Sequence, residues 1–172
     1  MNNLEELELP TVQYGKFPSK TGFEFQYEIW TPYKFQELNK LHPIIVEIYG
    51  GPTSQAVKSR WGFGLSSHYA TSNCEDSGCA HAIHVKLDGR GSGNAGDELM
   101  HSVYEKLGWY EKVDITEFVR ALVFSESDLG WVNPVAGRVN PGQVGIWGWS
   151  YGGFATTHTM AFGDDVWKCG VS

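Results

Sequence analysis

Polar and apolar residues alternate from Glu24 to Trp30, the period of a strand with one buried face, and Thr31-Pro32 closes it. Pro43 to Tyr49 contains Ile-Ile-Val-Glu-Ile-Tyr, a β-branched run that predicts a more central strand ending at Gly50-Gly51-Pro52. His81 to Leu87 predicts the next strand, stopped by Asp88-Gly89-Arg90-Gly91. The period then changes. Ile115, Phe118, Val119 and Leu122 recur at i, i+3, i+4 and i+7, one face of an amphipathic helix. Asp128 to Gln143, with Pro134, Pro141 and three glycines, reads as a long loop. Val144 to Trp147 predicts a short buried strand, and Tyr151 to Phe162 a helix with Gly163 as its stop. Val166 to Val171 begins a further apolar segment. Strands separated by helices predict an α/β fold, a mostly parallel sheet with helices on both faces.

A length of 172 residues predicts one domain, and 41% hydrophobic with 14% aromatic residues excludes a disordered chain. The net charge of −7 argues against nucleic acid or an anionic membrane as partner. No apolar run is long enough to cross a bilayer, and the acidic start Met1-Asn2-Asn3-Leu4-Glu5-Glu6 lacks the basic and apolar regions of a signal peptide. Cys74, Cys79 and Cys169 are an odd number, so at least one lacks an intrachain partner; Cys74 and Cys79 could pair in an oxidising compartment.

The densest chemistry lies between the last complete strand and its helix. Gly148-Trp149-Ser150-Tyr151-Gly152 matches Gly-x-Ser-x-Gly, and a strand before with a helix after is the context in which this motif lifts a serine hydroxyl above a sheet. The other reading, a glycine-rich loop with an incidental serine, does not use that context. A serine becomes a nucleophile when a base takes its proton and donors hold the developing oxyanion. The backbone N–H of Tyr151, one residue on, supplies one donor. Tyr49-Gly50-Gly51-Pro52 follows an earlier central strand where a second is expected, and the Tyr49 hydroxyl is the candidate. Its alternative is a ring packed at a strand end beside a glycine turn.

Four blocks occur in order: Tyr49-Gly50-Gly51-Pro52-x-Ser54-Gln55, Asp88-Gly89-Arg90-Gly91-Ser92-Gly93-x-x-Gly96-Asp97, Gly148-Trp149-Ser150-Tyr151-Gly152-Gly153 and Trp167-Lys168-Cys169-Gly170. Together they resemble the catalytic domain of the prolyl oligopeptidase family, and within it the dipeptidyl peptidase IV branch, from Thr11 to the last residue. The resemblance implies a serine peptidase without a cofactor, removing N-terminal dipeptides with proline or alanine second through an acyl-enzyme at Ser150. It implies the Tyr49 hydroxyl and Tyr151 N–H as oxyanion donors, the Tyr151 ring in the proline-accepting pocket, and Asp88–Asp97 as a loop bracing the active-site side of the sheet. The implied partner is a peptide, with a homodimer for full-length members, and neither nucleic acid nor a membrane segment within these residues. Full-length members of this branch lie at the plasma membrane or are secreted; the residues themselves leave the cytoplasm open.

Two features depart from the family pattern. The triad order in these hydrolases is serine, acid, histidine, and the resemblance places both partners further beyond Ser150 than residue 172. After Ser150 the acids are Asp164 and Asp165 and the histidine is His158, which projects along the predicted helix rather than back to its start. Residues 1–172 are therefore expected to be a partial α/β-hydrolase domain, inactive by itself, its last strand an open edge. Residues 1–14 resemble the segment that leaves the family's N-terminal β-propeller, and Cys169 matches a cysteine whose disulfide partner lies downstream. The competing class is a non-catalytic binding protein; a third reading is an α/β-hydrolase esterase.

Two rival motifs were weighed. Gly91-x-Gly93-x-x-Gly96 follows a strand and fits the dinucleotide pattern, but no βαβ unit with its ribose-binding acid follows, so no cofactor is expected. Cys74, Cys79, His81 and His84 are metal-ligand types, yet His81 and His84 on one strand would face opposite sides, so no metal is expected.

Overall fold

The computed structural model describes residues 9–60, 62, 64–70, 81–125 and 129–172. The elements in chain order are β1 (Thr11–Pro18), β2 (Glu24–Thr31), β3 (His42–Glu47), α1 (Leu65–Ala70), β4 (Ile83–Asp88), α2 (Asp97–His101), α3 (Trp109–Phe124), β5 (Val139–Trp147), α4 (Tyr151–Phe162) and β6 (Cys169–Val171). The strands form one sheet in the order β1-β2-β4-β3-β5-β6. β1 and β2 run antiparallel to their neighbours, whereas the β4–β3, β3–β5 and β5–β6 pairs are parallel. A mostly parallel sheet is thus extended by an antiparallel hairpin.

Alternation sorts the strand residues onto two unlike faces. Phe25, Tyr27 and Ile29 of β2, Ile44 and Val46 of β3, Ile83, Val85 and Leu87 of β4, and Val144 and Ile146 of β5 join one buried cluster with Ile115, Phe118, Val119 and Leu122 of α3. The helical stripe read from the sequence is therefore the core face of α3. The Phe118 ring lies 5.3 Å from Tyr27 and 5.1 Å from Phe17, both tilted pairs within the centroid spacing that aromatic rings favour. The intervening positions face α1 and carry charge. Tyr69 of α1 stacks on His84 at 6.3 Å, His84 Nε2 lies 3.2 Å from Glu47 Oε2, and Lys86 Nζ lies 3.4 Å from Glu28 Oε1.

Three expectations about elements change. β1 gave no alternation signal because it is an edge strand on which only Phe17 is buried. β5 begins at Val139, inside the segment read as loop. His42 pairs with Val139 and Ile44 with Val144, so Asn140 to Gln143 bulge out between two ladder contacts. Pro141 has no N–H to give a ladder, and a bulge is where a sheet tolerates it. β4 starts at Ile83, leaving His81 before the strand rather than on it. The rest of the long connection is anchored. Asn133 Nδ2 donates to the carbonyls of Ala121 and Leu122 at the end of α3, 3.0 and 2.8 Å away, and Val135 is buried. Among the described residues no helix is long and apolar enough to cross a membrane.

Candidate active site

Two neighbouring parallel strands, β3 and β5, end at the same edge of the sheet, and both chains turn sharply there. At the end of β5 the backbone enters Ser150 with φ 56° and ψ −122°, and α4 starts at the next residue. A positive φ on a non-glycine is a strained conformation that surrounding contacts must hold. Two close approaches hold it. A Cβ on Gly148 would lie 2.4 Å from the Ile48 carbonyl oxygen, and one on Gly152 would lie 2.2 Å from the same atom. The elbow can press this tightly on the end of β3 only because both positions are glycine. Ser150 itself is exposed, as a nucleophile must be.

At the end of β3 the turn Tyr49-Gly50-Gly51 has Gly50 at φ +67°. It sets the half-buried Tyr49 ring beside the elbow, its centroid 6.1 Å from Trp149 and 6.5 Å from Tyr151. The first N–H groups of a helix have no intrahelical acceptor, which leaves the Tyr151 N–H at the head of α4 available, and the Tyr49 ring lies beside that helix start. The sequence-predicted trio of Ser150, Tyr49 and Tyr151 thus forms a single cluster.

The loop after β4 braces this cluster. Both Asp88 carboxylate oxygens accept backbone N–H groups, from Ala56 at 2.8 Å and Val57 at 2.9 Å, tying the strand end to the segment that follows the Tyr49 turn. Burial raises the Asp88 carboxyl, and those two donors act against it. Thr53 N–H donates to Gly91 O at 2.9 Å, and Gly93 N–H to Ser54 O at 2.8 Å. Arg90 anchors the loop to α3: its Nη2 meets Asp114 Oδ1 at 2.5 Å, its Nε donates to both carboxylate oxygens at 3.0 Å, and its guanidinium lies 3.9 Å over the Tyr110 ring. Burial pushes the Asp114 carboxyl up to about 6, against the pull of Arg90.

Sequence reasoning missed Glu111. It lies in the first turn of α3, is only 3% exposed, and accepts the Tyr151 hydroxyl at 2.6 Å. Burial first, and then the hydrogen bond and charge of Glu111, raise the Tyr151 phenol well above its ordinary value, so it remains a donor. The two residues are 40 apart, and no local spacing marks the pair. A buried acid near the head of a helix is the one signal in hindsight.

The residues weighed as substitute partners of Ser150 go elsewhere. His158 packs its ring against Phe162 at 4.8 Å, Phe154 at 5.8 Å and Trp109 at 6.4 Å. Asp164 pairs with Arg120 at 2.9 Å and accepts the Val166 N–H, and Asp165 is exposed. Cys169 is a free, exposed thiol on β6. Of the residues of metal-ligand type, Cys74 and Cys79 lie outside the described residues. His81 precedes β4 and turns its backbone to φ 36°, while His84 sits within β4 against Glu47.

The family model described as the prolyl oligopeptidase family matches residues 79–172, which include the Asp88–Asp97 loop and the elbow. The chain is 33% identical over 171 residues to Prolyl endopeptidase FAP of Mus musculus, covering 99% of this chain and 20% of that protein. It is 31% identical over 169 residues to Dipeptidyl peptidase 4 of Sus scrofa, covering 98% and 20%. Among solved structures it resembles Porphyromonas gingivalis dipeptidyl peptidase 4, with a TM-score of 0.76, 26% identity, and coverage of 95% of this chain and 20% of that one. A putative dipeptidyl aminopeptidase IV from Bacteroides ovatus gives a TM-score of 0.73, 26% identity, and coverage of 100% and 22%. The chain spans about a fifth of the length of these relatives.

Proposed function

This chain belongs to the prolyl oligopeptidase family, and from that premise we propose that it carries the nucleophile and oxyanion half of a dipeptidyl-peptidase active site. The observation that supports this most is the strained Ser150 held on its elbow beside the Tyr49 turn. In this reading Ser150 Oγ attacks the carbonyl carbon of a peptide's second residue; its proton passes through a base to the leaving amine as the C–N bond breaks, and the dipeptide is left esterified to Ser150. The Tyr49 hydroxyl and the Tyr151 N–H hold the oxyanion, a kind of stabilisation whose loss costs about 10²–10³ in rate per donor. The acyl-enzyme then passes to water. In this reading the Tyr151 ring forms one wall of the pocket that accepts proline or alanine.

His158 and Asp164 are committed to other contacts, so the reading draws the triad acid and histidine from sequence outside residues 1–172. The 172 residues by themselves then lack a base for Ser150, and a free-standing chain is expected to turn over no peptide.

The test is release of p-nitroaniline from dipeptide anilides with proline or alanine second, using the full-length protein and its Ser150→Ala variant. Turnover that the variant abolishes supports the reading. Turnover only of simple esters, or turnover that survives the substitution, overturns it.

A further inference from the structure

We propose that Glu111 is a specificity-positioning residue: its carboxylate fixes the Tyr151 ring in the orientation that shapes the pocket for the residue before the scissile bond. The inference rests on the reading of Ser150 and Tyr151 given above and adds a residue outside every motif that led to it.

Three side chains converge on the Tyr151 ring, whose hydroxyl also meets the Gly108 backbone. Its hydroxyl is held by Glu111 at 2.6 Å. One flank meets Phe154 edge-on, with centroids 5.4 Å apart, and another faces Tyr49 at 6.5 Å. The aromatic contacts are non-directional enough to let a ring tilt or slide. The hydrogen bond to a buried carboxylate is directional and charge-assisted, and so fixes the ring's far end. Glu111 also reaches the other reversal, since a Cβ on Gly50 would lie 3.3 Å from Glu111 Cγ. One side chain of α3 therefore underlies both the Tyr49 turn and the residue after the nucleophile.

Burial gives this arrangement a purpose to explain. Glu111 Oε2 is buried and has no hydrogen-bond partner among the described residues. A desolvated carboxylate is costly to keep, and a glutamine or an apolar side chain could fill the space on α3. Its placement in the first helical turn favours the charge. The Tyr151 hydroxyl receives what that charge offers.

The experiment compares wild type, Glu111→Leu, Glu111→Gln and Tyr151→Phe in the full-length protein, reading kcat and KM separately on Ala-Pro and Ala-Ala p-nitroanilides. With Glu111→Leu, KM for the proline substrate should rise about tenfold, as expected for losing one charge-assisted bond at the pocket wall. The alanine substrate and the rate of Ser150 labelling by a small fluorophosphonate should change less than about threefold, because the oxyanion donors stay in place. Tyr151→Phe should raise KM for the proline substrate as Glu111→Leu does, and Glu111→Gln, whose amide oxygen still accepts the phenol, should restore most of the proline preference. A slowly exchanging, downfield hydroxyl proton resonance should be present in wild type and lost in both Glu111→Leu and Tyr151→Phe. Equal losses on both substrates, or no change on either, overturn the positioning role. A wild type that keeps the hydroxyl resonance but cleaves neither anilide overturns the functional reading instead.

Discussion

The two chain reversals at the ends of β3 and β5 lie side by side, yet they are built differently. The β5 elbow is strained at a serine, φ 56°, and is forced into place by two glycines pressed against the Ile48 carbonyl. The β3 turn places its positive φ on Gly50, where the conformation costs little. The difference teaches where strain is stored. The elbow keeps it on Ser150 and holds it by tight packing, while the turn places its positive φ on a glycine next to Tyr49. What makes the turn rigid comes from elsewhere: Asp88, the Arg90–Asp114 pair and Glu111.

Removing the buried ion pair behind the β3 turn should cost most. Asp114→Ala leaves the buried Arg90 guanidinium over the Tyr110 face without its carboxylate, and loss of one partner of such a pair costs about 3–5 kcal/mol. A urea midpoint for the 172-residue chain within error of wild type would contradict that bracing role. Next comes the elbow. Gly152→Ala puts a methyl group 2.2 Å from a backbone carbonyl that has little room to yield, and we expect a loss near the top of the overpacking range, about 3 kcal/mol.

Gly50→Ala should cost less, about 1–2 kcal/mol, because it adds left-handed strain but meets side chains rather than backbone, the nearest atom being Glu111 Cγ at 3.3 Å. The order of these two glycine substitutions, measured in one denaturation series, is the sharpest check on the contrast; a larger loss at Gly50 would reverse it. Asp88→Asn keeps one oxygen acceptor and forfeits the second and the charge. It should cost about 1 kcal/mol in stability, with amide hydrogen exchange speeding up at Ala56 or Val57 and not at Gly152.

Much of this was legible in the chain. The Ile-Ile-Val-Glu-Ile run, the helical stripe through Phe118 and the Gly-x-Ser-x-Gly elbow each follow from local periodicity or from a motif whose backbone demands are severe. The misses have physical reasons as well. β1 exposes most of its residues, so it leaves no alternation to read. The start of β5 hides behind a bulge at Pro141-Gly142, where the composition is that of a loop. Within the candidate site, Ser150, Tyr49 and Tyr151 were readable from the strand ends. Glu111 was not, because a carboxylate on a helix declares itself only through the tyrosine it meets across 40 residues.

Ser150 is proposed as the nucleophile of a peptidase. Its most direct test is fluorophosphonate labelling of the full-length protein, mapped by peptide mass spectrometry beside the Ser150→Ala variant. The account predicts one phosphonyl adduct, on the peptide containing Ser150, and none in the variant. An adduct on another serine, or an unlabelled Ser150 in a protein that still cleaves dipeptide anilides, would contradict it.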